Sequence, residues 1–208
     1  MVAYASRTQE QWQLCGQKRT FALSKIGKLR KYLDPDSTHK LIQAFVISRL
    51  DHCNSLLHGL PQKDINKLQR IQNMAARLIS LTKKRDHITP ILRDQLHWLP
   101  IEERIQFKIL LLTYKAFHGI APPYLSELIS LYIPPRGLRS ETFAFRISRI
   151  NDHLQIVRSR TKTYGERAFA VAAPILWNAL PEQIRKSPTL AQFKSQLKTH
   201  LYRIAFLV

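Results

Sequence analysis

The chain has only two cysteines, Cys15 and Cys53, among its 208 residues. Two thiols are too few for a disulfide framework, which excludes the class of small secreted proteins held together by disulfides and favours a reducing compartment. The N-terminal residues lack the apolar core of a secretory signal peptide. No apolar run reaches the ~20 residues that a membrane span requires. We therefore expect an intracellular protein, nuclear or cytoplasmic, without a transmembrane segment.

Acidic residues are also scarce, since 14 Asp and Glu stand against 33 Lys and Arg, for a formal net charge of +19 and a pI of about 10.4. The excess is spread along the chain: residues 128–208 hold 13 basic and 4 acidic residues, a net of +9, and residues 1–127 hold the remaining +10. A surplus of this size predicts a polyanion as partner, RNA or DNA. A basic solvated surface is the alternative interpretation.

The sequence lacks the carboxylates of a polymerase. Two-metal nucleotide transfer needs carboxylates that converge on magnesium, commonly from an adjacent Asp pair, and no Asp-Asp pair occurs. The only adjacent carboxylates, Glu102 and Glu103, lie in a strongly helical stretch, where neighbouring side chains point about 100° apart. Acidic residues are favoured at a helix N-terminus, which explains this pair after Pro100. We predict no catalytic residue, no cofactor and a chain that is not an enzyme by itself.

Cys53 is the one residue near which a metal or a nucleophile could be sought, because His52, His58 and His39 lie near it in sequence. A structural zinc site uses four ligands at regular loop spacing, and one cysteine with scattered histidines fits it poorly. A nucleophilic thiolate would need an oriented base, which the sequence does not show. We predict no metal site and a buried, packed Cys53.

Hydrophobic periodicity predicts a mainly α-helical chain. The predicted helices cover residues 21–33, 38–50, 61–81, 101–118, 124–131 and 167–180, the last interrupted near Pro174, with a final helix after Pro188. Phe143 to Ile150 and Leu154 to Arg160 suit two strands around the turn Asn151-Asp152, a β-hairpin. The predicted organisation is a leader of uncertain order at 1–20, a helical domain at 21–131, a linker at 132–141 and a smaller α+β module at 142–208.

The predicted helix at 61–81 carries its positive charges on one side. At 100° per residue from Lys63, Lys67 lies at roughly 40°, Arg70 at roughly 340° and Arg77 at roughly 320°, and the apolar residues lie between roughly 60° and 160°. The helix predicts a core-facing stripe opposite a phosphate-binding face.

Ten further basic residues are candidates for nucleic-acid contact. They lie on the helix at 21–33, directly after the helix at 61–81, and along the second predicted strand. They are Lys25, Lys28, Arg30, Lys31, Lys83, Lys84, Arg85, Arg158, Arg160 and Lys162. Lys83, Lys84 and Arg85 have an equally good structural explanation, because cations stabilise a helix C-terminus. Trp98 and Trp177 are predicted to anchor cores, and Tyr124 and Tyr164 either pack in a core or stack on bases.

Five segments of the chain also carry a family resemblance in their order and spacing. They are Arg49 to Pro61 (RLDHCNSLLHGLP), Asp86 to Pro90 (DHITP), Leu96 to Pro100 (LHWLP), Thr161 to Phe169 (TKTYGERAF) and Ala173 to Pro181 (APILWNALP). Over roughly residues 21–205 the chain resembles the C-terminal part of LINE-type, jockey-like non-LTR retrotransposon reverse transcriptases. The resemblance covers the thumb and post-thumb regions, without the catalytic palm.

The resemblance implies a helical, thumb-like bundle that grips the primer-template duplex of an RNA-directed DNA polymerase, and a following region that helps hold template RNA or target DNA. Such contacts are with phosphate and sugar and are largely independent of sequence. A palm could be supplied by another chain. The predicted hairpin departs from the family, as does the lack of any cysteine after Cys53 where some groups carry a zinc knuckle. Two alternatives stay open: a basic module that binds acidic proteins or membrane surfaces, and a decayed transposon remnant without selected function.

Overall fold

A computed structural model describes residues 21–132, 152–159, 161 and 165–207. Within these residues the chain is mainly α-helical and contains no strand, which confirms the predicted mainly-α class. The described residues form two compact units, one of residues 21–54 and 60–104, the other of residues 55–59 and those from 105 onward. This division cuts the predicted domain 21–131 after Arg104. The predicted linker and the leader lie, but for Tyr132, outside the described residues, so the predicted domain limits stay a prediction.

The first unit begins with a helix, α1, over residues 21–29. Its other elements, in chain order, are a 3-10 turn at Arg30–Tyr32, α2 at Pro35–Ile42, a π-helical segment at Gln43–Ile47, α3 at Ser48–Asp51, α4 at Gln62–Ser80, a π-helical segment at Ile91–Gln95 and the first turn of α5 at Ile101–Phe117. The second unit contains the rest of α5, most of a 3-10 turn at Asn54–Leu57, α6 at Pro123–Ser126, α7 at Phe169–Ala179, α8 at Glu182–Arg185 and α9 at Leu190–Phe206.

The long helix α4 supplies much of the first unit's core. Its buried residues are Ile65, Leu68, Ile71, Gln72, Ala75 and Ala76. At 100° per residue from Lys63 they lie between roughly 80° and 220°, so the buried side is centred about 40° from the predicted stripe. The helix ends where Leu81 adopts a left-handed conformation (φ 57°). The prediction of an amphipathic helix over this stretch is confirmed.

The turn before α5 is held by side chains of α4 and α5. The carbonyl oxygen of Leu99 accepts hydrogen bonds from Gln72 Nε2 at 2.8 Å and from Arg104 Nε at 2.9 Å. Gln69 Oε1 accepts the Ile101 N–H at 2.9 Å, which caps the start of α5 in the absence of a capping side chain at Pro100. Arg104 Nη1 also lies 2.8 Å from both oxygens of Asp51 at the end of α3. The turn is therefore tied to three helices of this unit.

The core of the second unit is aromatic. Tyr114, Trp177 and Phe193 are fully buried, with ring centroids 4.3 Å apart for Tyr114 and Phe193 and 5.8 Å apart for Trp177 and Phe193. The Tyr114 hydroxyl donates to the Ser187 carbonyl at 2.9 Å, and Trp177 Nε1 donates to the Asp152 carbonyl at 2.6 Å. Both Trp98, in the first unit, and Trp177 are buried, as predicted.

Two local predictions are wrong. The first predicted strand, 143–150, lies outside the described residues, and in the second, residues 154–159 form no strand; Leu154 makes only an isolated antiparallel bridge to Leu131. The α+β module is therefore not supported. Helix α7 runs through Pro174 without interruption. On α1, Leu23 and Ile26 are buried, whereas Phe21 and Leu29 are exposed.

Arg104→Met is expected to lower the free energy of unfolding by about 2 kcal/mol, because it leaves the Asp51 carboxylate without its partner and removes a donor from Leu99. Urea denaturation followed by circular dichroism measures this change. Lys40→Met is the matched control, since the Lys40–Asp36 ion pair is exposed on both sides and its loss should cost under about 0.5 kcal/mol. Equal losses in the two variants would contradict the role given to Arg104.

Glu103→Gln is expected to stabilise the chain at pH 7 by only about 0.5 kcal/mol, since solvent screens this half-buried carboxylate, and to have no such effect at pH 4. Burial raises the pKa of Glu103 above 4.5, and the charge of Glu102 raises it further. The folded state then holds the Glu103 proton more tightly than the unfolded state, so this group costs stability as the pH rises above its unfolded pKa. Thermal denaturation at the two pH values tests this, and a lower melting temperature for the variant at pH 7 would refute it.

Candidate nucleic-acid interface

The solvent-facing side of α4 presents three of the four predicted phosphate-binding residues. Lys63, Lys67 and Arg70, which we call the basic face, are exposed and lie within roughly 60° of one another around the helix. The opposite side of α4 is committed to the core. Lys63 and Arg70 are about 10 Å apart along the axis at 1.5 Å per residue. That distance corresponds to about three phosphates of one strand.

The charges of the basic face differ in their availability. Lys67 Nζ lies 2.8 Å from Asp64 Oδ1 in an exposed ion pair, which a phosphate can replace at little cost. Lys63 and Arg70 make no ion pair or side-chain hydrogen bond within the described part of the chain. Met74 is exposed on the same side of the helix and adds an apolar contact surface. The face therefore offers two unengaged cations and one that is weakly engaged.

Arg77, the fourth predicted residue, has a structural role. It is partly buried, and its Nη2 donates to the Asp86 carbonyl at 3.2 Å, which ties the loop after α4 to the helix. Its Nε is buried and has no hydrogen-bond partner in the described residues. Arg77 thus stands at the edge of the basic face and is not available in the way that Lys63 and Arg70 are.

Arg30 also has a structural role. Its Nε donates to the carbonyl of Leu78 at 3.2 Å and its Nη1 donates to the carbonyl of Leu33 at 2.9 Å. The Leu78 carbonyl belongs to the last turn of α4, where a cation satisfies an orphan acceptor and the helix dipole together. This contact brings the end of α1 to the C-terminal end of α4.

The three predicted lysines of the first segment are all exposed. Lys25 Nζ lies 5.1 Å from the ring centroid of Phe21, and Lys31 Nζ lies 4.7 Å from that of Tyr32. Lys28 lies between them in sequence. Lys25 and Lys31 therefore stand beside exposed aromatic rings, a juxtaposition that was not among the sequence predictions.

The loop Lys83-Lys84-Arg85 follows α4 and is held by Asp86. Asp86 Oδ2 accepts the Lys83 N–H at 3.0 Å, and the Asp86 N–H donates to the Lys83 carbonyl at 3.2 Å. The three basic side chains are exposed. Their position after the helix C-terminus suits both stabilisation of the helix dipole and phosphate binding, so both interpretations remain open.

The predicted phosphate track of the second unit is only partly described. Arg158 is exposed, but residues 155–159 are not a strand, so the predicted alternation of basic residues on one strand face is wrong for this part. Arg160 and Lys162 lie outside the described residues, as does Tyr164. Tyr124 is exposed and is therefore not a core residue.

The segments that carry the family resemblance contain several residues with structural roles. Asp51, at the end of α3, binds Arg104, whose guanidinium carbon lies 5.9 Å from the ring centroid of Trp98. In the second unit Arg167 Nε donates to the His58 carbonyl at 3.0 Å. A Cβ at Gly59 would lie 2.7 Å from Arg167 Cγ, and Gly59 has a φ of 67°, so only glycine fits.

In the second unit, the segment APILWNALP also contains a residue with a structural role, Asn178. Asn178 accepts the Leu154 N–H through Oδ1 at 2.9 Å and donates to the Leu154 carbonyl through Nδ2 at 2.8 Å. This pair of bonds satisfies a buried stretch of backbone that no strand satisfies. The quoted segments therefore stabilise turns in each unit.

Cys53 differs from its prediction. It is an exposed free thiol with a φ of 53°, so packing does not explain it. Within the described residues no group of three or more His, Cys, Asp or Glu side chains is placed to hold a metal ion. Among the same residues no helix combines the length and apolar character needed to cross a membrane.

The comparisons with known proteins add no family. No protein-family model, curated protein or solved structure matches this chain. The resemblance to LINE-type reverse transcriptases therefore stays a hypothesis that rests on the segments quoted from the sequence.

Proposed function

We propose that the chain is a non-catalytic, nucleic-acid-binding segment of a LINE-type RNA-directed DNA polymerase that grips the sugar-phosphate backbone of template and primer. The observation that carries the proposal is the basic face of α4. Within the described residues Lys63 and Arg70 are exposed and unengaged, on one side of a helix whose other side is buried. The net charge of +19 supplies the long-range attraction for a polyanion.

The geometry of the basic face favours backbone contact over base recognition. Three cations along about 10 Å of helix axis match the spacing of consecutive phosphates. Lysine and arginine on phosphate oxygens fix register and orientation without reading sequence. We therefore expect binding that is largely independent of sequence and strongly dependent on salt.

The two adjacent glutamates are placed differently from each other. Glu102 is exposed, whereas Glu103 is partly buried with an unpartnered Oε2 within the described residues. They do not present a shared position for a magnesium ion. The proposal assigns catalysis to a palm supplied by another chain, and it places the protein in the nucleus or the cytoplasm, where template and primer are found.

A second candidate function has an observation in its favour. Phe21, Leu29, Tyr32 and Leu81 are exposed beside the basic residues of α1 and the end of α4. Basic residues with neighbouring exposed apolar side chains also suit an anionic membrane surface. An acidic protein would use the same charges, whereas a decayed remnant would bind none of these ligands specifically.

The variant Lys63→Ala/Lys67→Ala/Arg70→Ala is expected to flatten the salt dependence of binding to an RNA-DNA hybrid. Each lost phosphate contact lowers the slope of log K against log salt by about 0.9 on the B-DNA scale, so the slope should fall by about two to three units. Fluorescence anisotropy with a labelled hybrid across a salt series measures both slopes. Arg77 is left unchanged because it holds the Asp86 loop.

A matched control is Lys194→Ala/Lys198→Ala/Arg203→Ala, which removes three exposed charges from α9. Its slope should stay close to that of the parent chain. If both variants lose slope equally, binding follows net charge and the basic face is not the contact. Absence of any binding near physiological salt by the folded chain would overturn the proposed function.

A further inference from the structure

One side of the segment 21–32 carries both aromatic and basic residues. At 100° per residue from Phe21, Lys25 lies at roughly 40° and Lys28 at roughly 340°, and Tyr32 in the following 3-10 turn lies on roughly the same side. We call Phe21, Lys25, Lys28 and Tyr32 the aromatic-basic face. Leu23 and Ile26 point to the other side and are buried, so the face is the solvent side of the element.

The two rings are exposed to a degree that packing does not explain. Phe21 is 64% exposed and Tyr32 is 75% exposed. Each has a lysine ammonium about 5 Å from its centroid, Lys25 at 5.1 Å and Lys31 at 4.7 Å. The exposed fraction of each residue leaves ring surface that a planar ligand can contact beside the ammonium. Each ring therefore lies close enough to a lysine ammonium for one nucleotide to stack its base on the ring and place its phosphate at the ammonium.

We propose that the aromatic-basic face binds a single-stranded segment of nucleic acid, with unpaired bases stacked on Phe21 and Tyr32 and phosphates held by Lys25, Lys28 and Lys31. This inference rests on the proposed function and deepens it by naming the form of nucleic acid at this surface. Stacked aromatic rings with interleaved cations are the means by which proteins hold single strands without sequence preference. A duplex hides its base faces and offers only phosphates.

The dimensions of the face fit a single strand of several nucleotides. Phe21 and Tyr32 are separated by roughly 18 Å along the element, eight residues at about 1.5 Å and three at about 2 Å. The contact of Arg30 with the Leu78 carbonyl brings this element to the C-terminal end of α4, after which the exposed loop Lys83-Lys84-Arg85 follows. The basic face of α4 lacks exposed aromatic rings in its described residues, so it is suited to backbone alone. In this proposal the aromatic-basic face holds stacked bases, and the basic face of α4 holds the sugar-phosphate backbone.

The test compares a labelled 20-nucleotide oligouridine with an RNA-DNA hybrid of the same length, using the full chain in fluorescence anisotropy. The double variant Phe21→Leu/Tyr32→Leu keeps the apolar surface but removes the stacking planes. The dissociation constant for the single strand is expected to rise at least tenfold, on the order of one lost stacking contact or more. Binding of the hybrid should change less than twofold. Tyr32→Phe keeps a ring and should bind the single strand within twofold of the parent chain.

Phe45→Leu is the matched control, since Phe45 is an exposed aromatic residue outside the aromatic-basic face and its loss should leave both affinities unchanged. Unchanged single-strand affinity in the double variant would overturn the inference, while salt-dependent hybrid binding would still support the proposed function. If the parent chain binds neither the single strand nor the hybrid, both the inference and the proposed function are overturned. Binding to phosphatidylserine vesicles that is tighter than binding to oligouridine, and that survives in the leucine variants, would assign the face to a membrane surface and overturn the inference.

Discussion

The carbonyl oxygen of Leu99 is the acceptor on which the first unit depends. It receives Gln72 from α4 and Arg104 from α5, and Arg104 continues to the Asp51 carboxylate at the end of α3. Gln72 is fully buried, so its amide must find a partner inside the protein or be left unsatisfied. Its Nε2 is satisfied by Leu99, and this bond fixes how α4 is rotated about its own axis. Ala75 and Ala76 are the next buried positions of α4.

That rotation decides which residues of α4 reach solvent. With Gln72 and the alanines turned inward, Lys63, Lys67 and Arg70 are placed on the outer side, where their charges are exposed. The same unit uses other basic residues as structural ties, Arg30 at the Leu78 carbonyl and Arg77 at the Asp86 carbonyl. The basic residues of this unit are therefore of two kinds: some bind backbone carbonyls and hold the scaffold together, and others are exposed to solvent. Only the second kind supports the proposed contact with phosphate.

The elements with strong helical periodicity could be predicted from the sequence. Helices α4 and α5 lie where the apolar spacing indicated, and α5 ends at Phe117, before Gly119 in a left-handed conformation (φ 67°). The predicted helix at 38–50 is less regular than expected, because the π-helical segment Gln43–Ile47 adds a residue to the turn, and Phe45 is exposed. Hydrogen bonds across 27 to 109 residues, such as those of Gln72 and Arg167, have no local signal.

The candidate site, too, could be predicted from the sequence only in part. Helical spacing was sufficient to place Lys63, Lys67 and Arg70 together, but it could not show that Arg30 and Arg77 are engaged by backbone carbonyls distant in sequence. The aromatic-basic face was not predicted, because α1 has several apolar residues and only tertiary packing shows that Leu23 and Ile26 take the inner side while Phe21 stays exposed. Cys53 was predicted to be buried because the sequence shows neither a fitting set of metal ligands nor an oriented base beside it, whereas the turn that follows α3 exposes it.

The most direct test of the central claim is a map of where nucleic acid touches the chain. Photo-crosslinking to a hybrid with a single-stranded overhang, followed by mass spectrometry of the peptides, gives such a map for the full protein. The account predicts crosslinks on α4 around Lys63 to Arg70 and on the segment from Phe21 to Tyr32. Crosslinks confined to α9, or spread evenly over all exposed lysines, would contradict it.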